Sequence, residues 1–186
     1  MQYASELSTV SLEDIKEMAR EVRGKVNNVF LHWSAGRYGQ VYPDYHISID
    51  YDGRIYLPDN CRDLSQYRVH TYERNSNSIG IAVCGCYDAT ANNGYNCNLG
   101  SEPVTEAQIE AMAAVVACIC KEAWVSVDNV LTHCEAAQRH CPPYGPYSGD
   151  PETRWDLWFL KDYDGCMKPG GEVLRGKARW YLMNGI

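Results

Sequence analysis

Between residues 12 and 22, Leu12, Ile15, Met18, Ala19 and Val22 recur at the period of a helix and share one apolar stripe. Ser11-Leu-Glu-Asp14 at its start has the form of an N-cap, and Gly24 that of a stop. The run NVFLHW at 28–33 is short and unbroken, which predicts a buried strand. A loop rich in Gly and Tyr follows at 35–44. Residues 45–51 alternate as a strand, Asp52-Gly53 is a hairpin signal, and 54–57 form the returning strand. SIGIAVC at 78–84 predicts a further buried strand, and the Asn- and Gly-rich stretch 87–103 a surface loop.

The longest periodic segment opens at the capping box Thr105-Glu-Ala-Gln108 and runs through Ile109, Met112, Ala113, Val116, Ala117, Cys120 and Trp124. Residues 130–133 predict a short strand, and 136–149, rich in Pro, Gly and Tyr, a loop. Asp150-Pro-Glu-Thr153 has the form of another helix start, and 172–183 is weakly helical. Strands and helices interleave without a repeat or a linker. The expectation is a single α/β domain over 1–186, with a central mixed sheet flanked by helices and the tail 161–186 packed on it. The tight hairpin requires at least one antiparallel pair.

Composition narrows the function classes. The chain has 186 residues, 45% of them apolar, enough for one sizeable core. Its 17 basic and 24 acidic side chains leave a net charge of −7, which argues against a phosphate-binding surface and so against nucleic acid as a partner. Fourteen Tyr against two Phe suit a surface that meets polar, sugar-like or peptide ligands. No run approaches the roughly 18 apolar residues of a bilayer span, so no membrane partner is expected. The opening MQYASELSTVSLEDIKEM has no basic segment followed by an apolar one, so no secretory signal is expected. Four of the nine cysteines form C-x-C pairs, at 84/86 and 118/120, rather than the C-x-x-C of zinc knuckles, and the nine are expected to be reduced and mostly buried.

Candidate chemistry rests on five histidines, 32, 46, 70, 133 and 140. His32 and His133 each close an apolar run, Phe30-Leu31-His32 and Val130-Leu131-Thr132-His133. A rigid strand end beside a loop-lined cleft is a good place to hold a metal ligand, and zinc takes neutral imidazole. Each histidine taken singly reads as an ordinary buried or surface residue; the pair in matching positions is what raises a metal site.

LHWSAG (31–36), DYHISIDYDGRIY (44–56), HTYERNSNSIGIAVCG (70–85), LTHCEA (131–136) and DPETRWDLW (150–158) stand in one order. In that order and spacing the chain, from about 28 to 160, resembles the type 2 N-acetylmuramoyl-L-alanine amidases, which include phage endolysins, bacterial wall amidases and peptidoglycan recognition proteins. The resemblance implies a zinc-dependent α/β fold that cuts the amide between the muramic-acid lactyl group and L-Ala. It makes His32 and His133 zinc ligands. For the third ligand two positions compete. Asp150-Pro151 resembles the Asp-Pro of bacterial members, and Asp156 the Trp-Asp of phage-type relatives. Asp150 also has an N-cap role open to it, whereas Asp156 lies among Trp155, Leu157, Trp158 and Phe159, where a buried carboxylate needs a cation. Asp156 is favoured on that ground, and Asp150 stays open.

The same resemblance places Tyr45 beside the metal, where a phenol orients water or steadies an oxyanion, and His70 near the substrate. His46 alternates away from Tyr45 and reads as packing. The chain also departs from the family: Ala82 stands where bacterial members often carry a catalytic Glu. Ser148 or Arg154 stands where phage members can use a Lys, so Glu135 becomes the candidate base. The implied protein is a monomeric zinc hydrolase of peptidoglycan, phage endolysin-like, made in the host cytoplasm without a signal peptide and acting at the cell wall. The alternatives are a peptidoglycan-binding module without catalysis and a cytoplasmic wall-recycling amidase.

Overall fold

The computed structural model describes residues 1–91, 97–139 and 155–185. Six strands, β1 (Thr9–Val10), β2 (Asn28–Trp33), β3 (Ile47–Ile49), β4 (Ile55–Tyr56), β5 (Ser78–Val83) and β6 (Val130–Thr132), form one sheet in the order β6-β2-β5-β3-β4-β1. Strands β6, β2, β5 and β3 run parallel, while β4 and β1 add antiparallel edges. The sheet is therefore mixed, as the Asp52-Gly53 hairpin requires; Gly53 takes a φ of 83° in that turn.

Side-chain alternation divides the sheet into two faces. Val29, Leu31 and Trp33 of β2, Ile79, Ile81 and Val83 of β5, Ile47 and Ile49 of β3 and Val130 of β6 join one buried cluster. Helices α1 (Leu12–Glu21), α2 (Glu106–Ala123) and α4 (Gly170–Asn184) supply its other half, through residues such as Ile15, Ala19, Met112, Val116, Val173 and Leu174. The remaining positions, Phe30, His32, Ser48, Gly80 and Ala82, point to the opposite face, and there Phe30 packs on Leu131 and on Ala136 of the short helix α3 (His133–Arg139). One face builds the core and the other builds the site.

The predicted N-cap at Ser11 and the predicted capping box at Thr105 both form, and Ser11 completes a full box with Asp14. The Ser11 hydroxyl accepts from Asp14 N at 3.1 Å while Asp14 accepts from Ser11 N at 2.7 Å. Thr105 and Gln108 do the same for α2, and the buried Gln108 amide also donates to the carbonyls of Ile49 (3.0 Å) and Cys84 (2.6 Å). One side chain thus caps the helix and ties it to the ends of β3 and β5.

Several expectations need correction. The strand expected over 45–51 narrows to Ile47–Ile49, with Tyr45 and His46 in the approach to it. Trp124 leaves the apolar stripe: it caps α2 in the left-handed region at φ 63° and is 72% exposed, with the Arg23 guanidinium 4.5 Å above its ring. Val115, Cys118 and Ile119 are buried instead, because α2 is packed between α1, α4 and the sheet. His133 opens α3 rather than closing a strand, and the helix occupies the first part of the expected loop 136–149. The loop 87–103 contains two short paired strands, Thr90–Ala91 and Cys97–Asn98, and a second unpredicted pair joins Phe159–Lys161 to Met167–Pro169. The helix start expected at 150–153 lies outside the described residues. Cys84, Cys118 and Cys120 are buried free thiols, Cys86 and Cys134 are buried, Cys61 is half-buried and Cys166 exposed. Among the described residues no helix is long and apolar enough to cross a membrane.

Candidate metal centre

His32 and His133 meet because β2 and β6 are parallel neighbours. The register pairs Thr132 with Leu31, so the residue after each lands beside the other, and the two imidazoles lie 4.7 Å apart edge to face. A capping box makes the turn at His133. Thr132 N donates to Glu135 Oε2 at 3.0 Å and Glu135 N to Thr132 Oγ1 at 3.2 Å, which starts α3 one residue after the strand ends. The Thr132-His-Cys-Glu135 spacing carries that signal in the sequence.

Asp156 arrives from the far end of the chain. Its approach is set by Trp155, which stands edge-on to Trp33 at 5.1 Å, and by Leu157, fully buried in the left-handed region at φ 57°. Packing has to hold a branched residue in that conformation. Gly170 at the start of α4 makes the arrangement possible: a Cβ there would lie 2.0 Å from the Leu157 carbonyl oxygen, and Gly170 N donates to Trp158 O at 2.8 Å.

In this position Asp156 Oδ2 is 3.1 Å from His32 Nδ1 and Oδ1 is 3.2 Å from His133 Nδ1. Asp156 is 8% exposed and His32 1%. Burial would raise the Asp156 carboxyl, but the imidazoles of His133 and His32 hold it below the usual carboxylate range. Burial also pushes His32 below its ordinary value, against the pull of Asp156, so His32 rests as a neutral imidazole. Two imidazole nitrogens and one carboxylate oxygen, all within 4.8 Å of one another, make an N,N,O donor set. Such a set suits a four-coordinate zinc with one position left open for water or substrate. The residues present fit the metal.

The Tyr45 ring lies 5.1 Å from that of His32, tilted by 40°, and burial together with the charges of Asp156 and Asp44 raises its phenol, so the O–H stays a donor. His70 lies 5.5 Å from the His32 ring. It packs flat on the sheet, where a Cβ at Gly80 would come within 2.6 Å of its Cγ. Both its ring nitrogens are engaged inside the protein, by Thr71 Oγ1 at 3.0 Å and Ser78 Oγ at 3.3 Å. With both nitrogens so engaged, the ring buttresses His32. His46 is structural: Gly80 N donates to its Nδ1 at 3.0 Å, and its Nε2 donates to Gln66 O at 2.7 Å.

Glu135 is held at the junction of two helices. Arg175 of α4 grips both its oxygens at 2.7 Å, and the Thr132 N–H donates a further bond, so the carboxylate locks α4 to α3. Asp150, Ser148 and Arg154 lie outside the described residues. Thr71, absent from the sequence-level candidates, reaches His32 Nε2 at 3.3 Å from within the HTYERN block.

The family profile described as N-acetylmuramoyl-L-alanine amidase matches residues 18–144, more than half of the chain, and ends before Asp156. Among solved structures, the endolysin amidase LysCS from Clostridium intestinale is similar at 19% identity and TM-score 0.44, covering 64% of this chain and 76% of that one. The Ph2119 endolysin of a Thermus scotoductus bacteriophage is similar at 22% identity and TM-score 0.42, over 65% and 80% of the two chains. Drosophila peptidoglycan recognition protein SA is similar at 17% and 0.42, over 59% and 68%. No curated protein sequence matches. With the sheet, the paired histidines and the profile over most of its length in agreement, this chain belongs to the N-acetylmuramoyl-L-alanine amidase family.

Proposed function

We propose that this protein is a zinc-dependent hydrolase of peptidoglycan that cuts the lactyl–L-Ala amide, acting at the bacterial cell wall as a phage or prophage endolysin after synthesis in the host cytoplasm. The observation that carries the reading is the convergence of His32 Nδ1, His133 Nδ1 and the Asp156 carboxylate beside Tyr45, in a chain of this family. Zinc bound by these residues supplies a Lewis acid and a water whose pKa is lowered to about 7.

The chain's own residues do the rest. In the hydrolysis a water oxygen bonds to the lactyl carbonyl carbon, the C–N bond breaks, and a proton passes to the L-Ala nitrogen. Tyr45, held protonated, donates its O–H to the carbonyl oxygen as negative charge develops there. Burial of His32 and Asp156 excludes bulk water from one side of the site, which strengthens each of these contacts.

The test pairs elemental analysis with a wall assay on the full chain. The expected result is about one zinc per chain, release of L-Ala amino termini from purified walls, loss of that release on chelation, and its return with zinc. Bound zinc with wall binding but no new amino termini would make the protein a recognition module. Absence of stoichiometric metal would overturn the zinc reading.

A further inference from the structure

The block HTYERNSNS contributes more than His70. Asn75 Oδ1 accepts from the backbone N–H of His70 (3.0 Å) and of Thr71 (2.7 Å), which clamps the turn and aims both side chains at the site face of the sheet. From there a line of buried hydrogen bonds runs Asn75 O, Ser78 Oγ, His70 Nε2, His70 Nδ1, Thr71 Oγ1, His32 Nε2. Thr71, Ser78, His70 and Asn75 are each 8% exposed or less.

The direction of every bond in this line follows from its anchor. A carbonyl oxygen cannot donate, so the Ser78 hydroxyl donates to Asn75 O at 2.9 Å and must accept from His70 Nε2–H. A neutral imidazole with its proton on Nε2 has only an acceptor at Nδ1, so Thr71 O–H donates there. The Thr71 oxygen is then an acceptor for His32 Nε2–H. His32 is left with a lone pair on Nδ1, 3.1 Å from a carboxylate oxygen. Two lone pairs facing at that distance are satisfied by a cation shared between them.

We infer that Thr71 is a positioning residue that fixes, through the Ser78–His70–Thr71 relay, both the tautomer and the orientation of His32, so that Nδ1 is its metal-binding atom. The inference rests on the zinc reading above and names an outer support for one ligand that nothing in the ligand set itself requires. A ligand histidine whose other ring N–H loses its partner binds metal more weakly, typically by about 10–100-fold.

Cobalt(II) titration of the metal-free protein, read by its visible absorption bands, tests this without any turnover. Thr71→Val keeps the shape and removes the acceptor; it is expected to weaken cobalt binding by about 10–100-fold and to shift the bands. Thr71→Ser restores both. Ser78→Ala, which removes a group with no contact to the ligands, weakens binding in the same direction by a smaller factor. If the parent binds cobalt and Thr71→Val binds it identically, the inference falls while the zinc reading stands. If Thr71→Val is affected and Ser78→Ala is not, the relay falls and Thr71 acts alone. If the parent binds no cobalt, the zinc reading itself falls, and the inference with it. Should Thr71→Val fail to fold, Ser78→Ala against Thr71→Ser decides the matter: parent-like cobalt binding in Ser78→Ala overturns the relay.

Discussion

Asp156 Oδ2 lies 3.1 Å from Nδ1 of His32, a residue 124 positions earlier in the chain. The contact joins the C-terminal segment to the central sheet, and it supports Asp156 as the third ligand of the proposed zinc site, Asp150 lying outside the described residues. Replacing a direct ligand should remove metal and activity together, since two histidines leave zinc underligated. Asp156→Ala is therefore expected to be metal-poor and inactive, while Asp150→Ala keeps its zinc and loses about 1 kcal/mol of stability if it caps a helix. Elemental analysis of both variants checks this; zinc-free Asp150→Ala beside zinc-loaded Asp156→Ala would falsify the assignment.

In the proposed mechanism Tyr45 is the donor to the developing oxyanion. Tyr45→Phe should lower kcat by about 10- to 1,000-fold with zinc content unchanged. The measurement is turnover on a soluble muramyl peptide, and parent-like turnover would return Tyr45 to packing.

Glu135 holds α4 to α3 through Arg175, whose side chain is 13% exposed. Glu135→Gln leaves that guanidinium without its anion and should cost about 1–3 kcal/mol, seen as a lower Tm. The zinc content and the pH profile of turnover should match the parent. A large fall in kcat with unchanged Tm would instead make Glu135 a base.

His46 makes stability depend on pH. Burial lowers its pKa to about 4, whereas in the unfolded chain it protonates near the ordinary 6.5. Between those values the unfolded state binds the proton first, so stability is full above about pH 6.5 and falls as pH drops towards 4, by on the order of 3 kcal/mol. Denaturant melts across that window measure the loss, and an NMR titration assigns it. A His46 ring that titrates near 6.5 in the native protein would refute the account.

The local rules written into the sequence decided a good part of this molecule. Helical periodicity and the Ser11 and Thr105 capping boxes place α1 and α2, unbroken apolar runs place β2 and β5, and Asp52-Gly53 places the β3–β4 hairpin. Each depends on neighbours within a few residues, which is why each could be read directly. The motif order carried the family, and His32, His133 and Asp156 were legible as ligand candidates. What the sequence alone left open was set by long-range packing. The parallel register of β6 on β2 puts His133 against His32, and the close approach of Gly170 to Leu157 delivers Asp156 between them. The surroundings of Glu135 and His70 were hidden for the same reason: Arg175 stands 40 residues from Glu135, and His70 rests on a glycine of a strand that follows it. A side chain's chemistry is set by what surrounds it, and those surroundings exist only once the chain has folded.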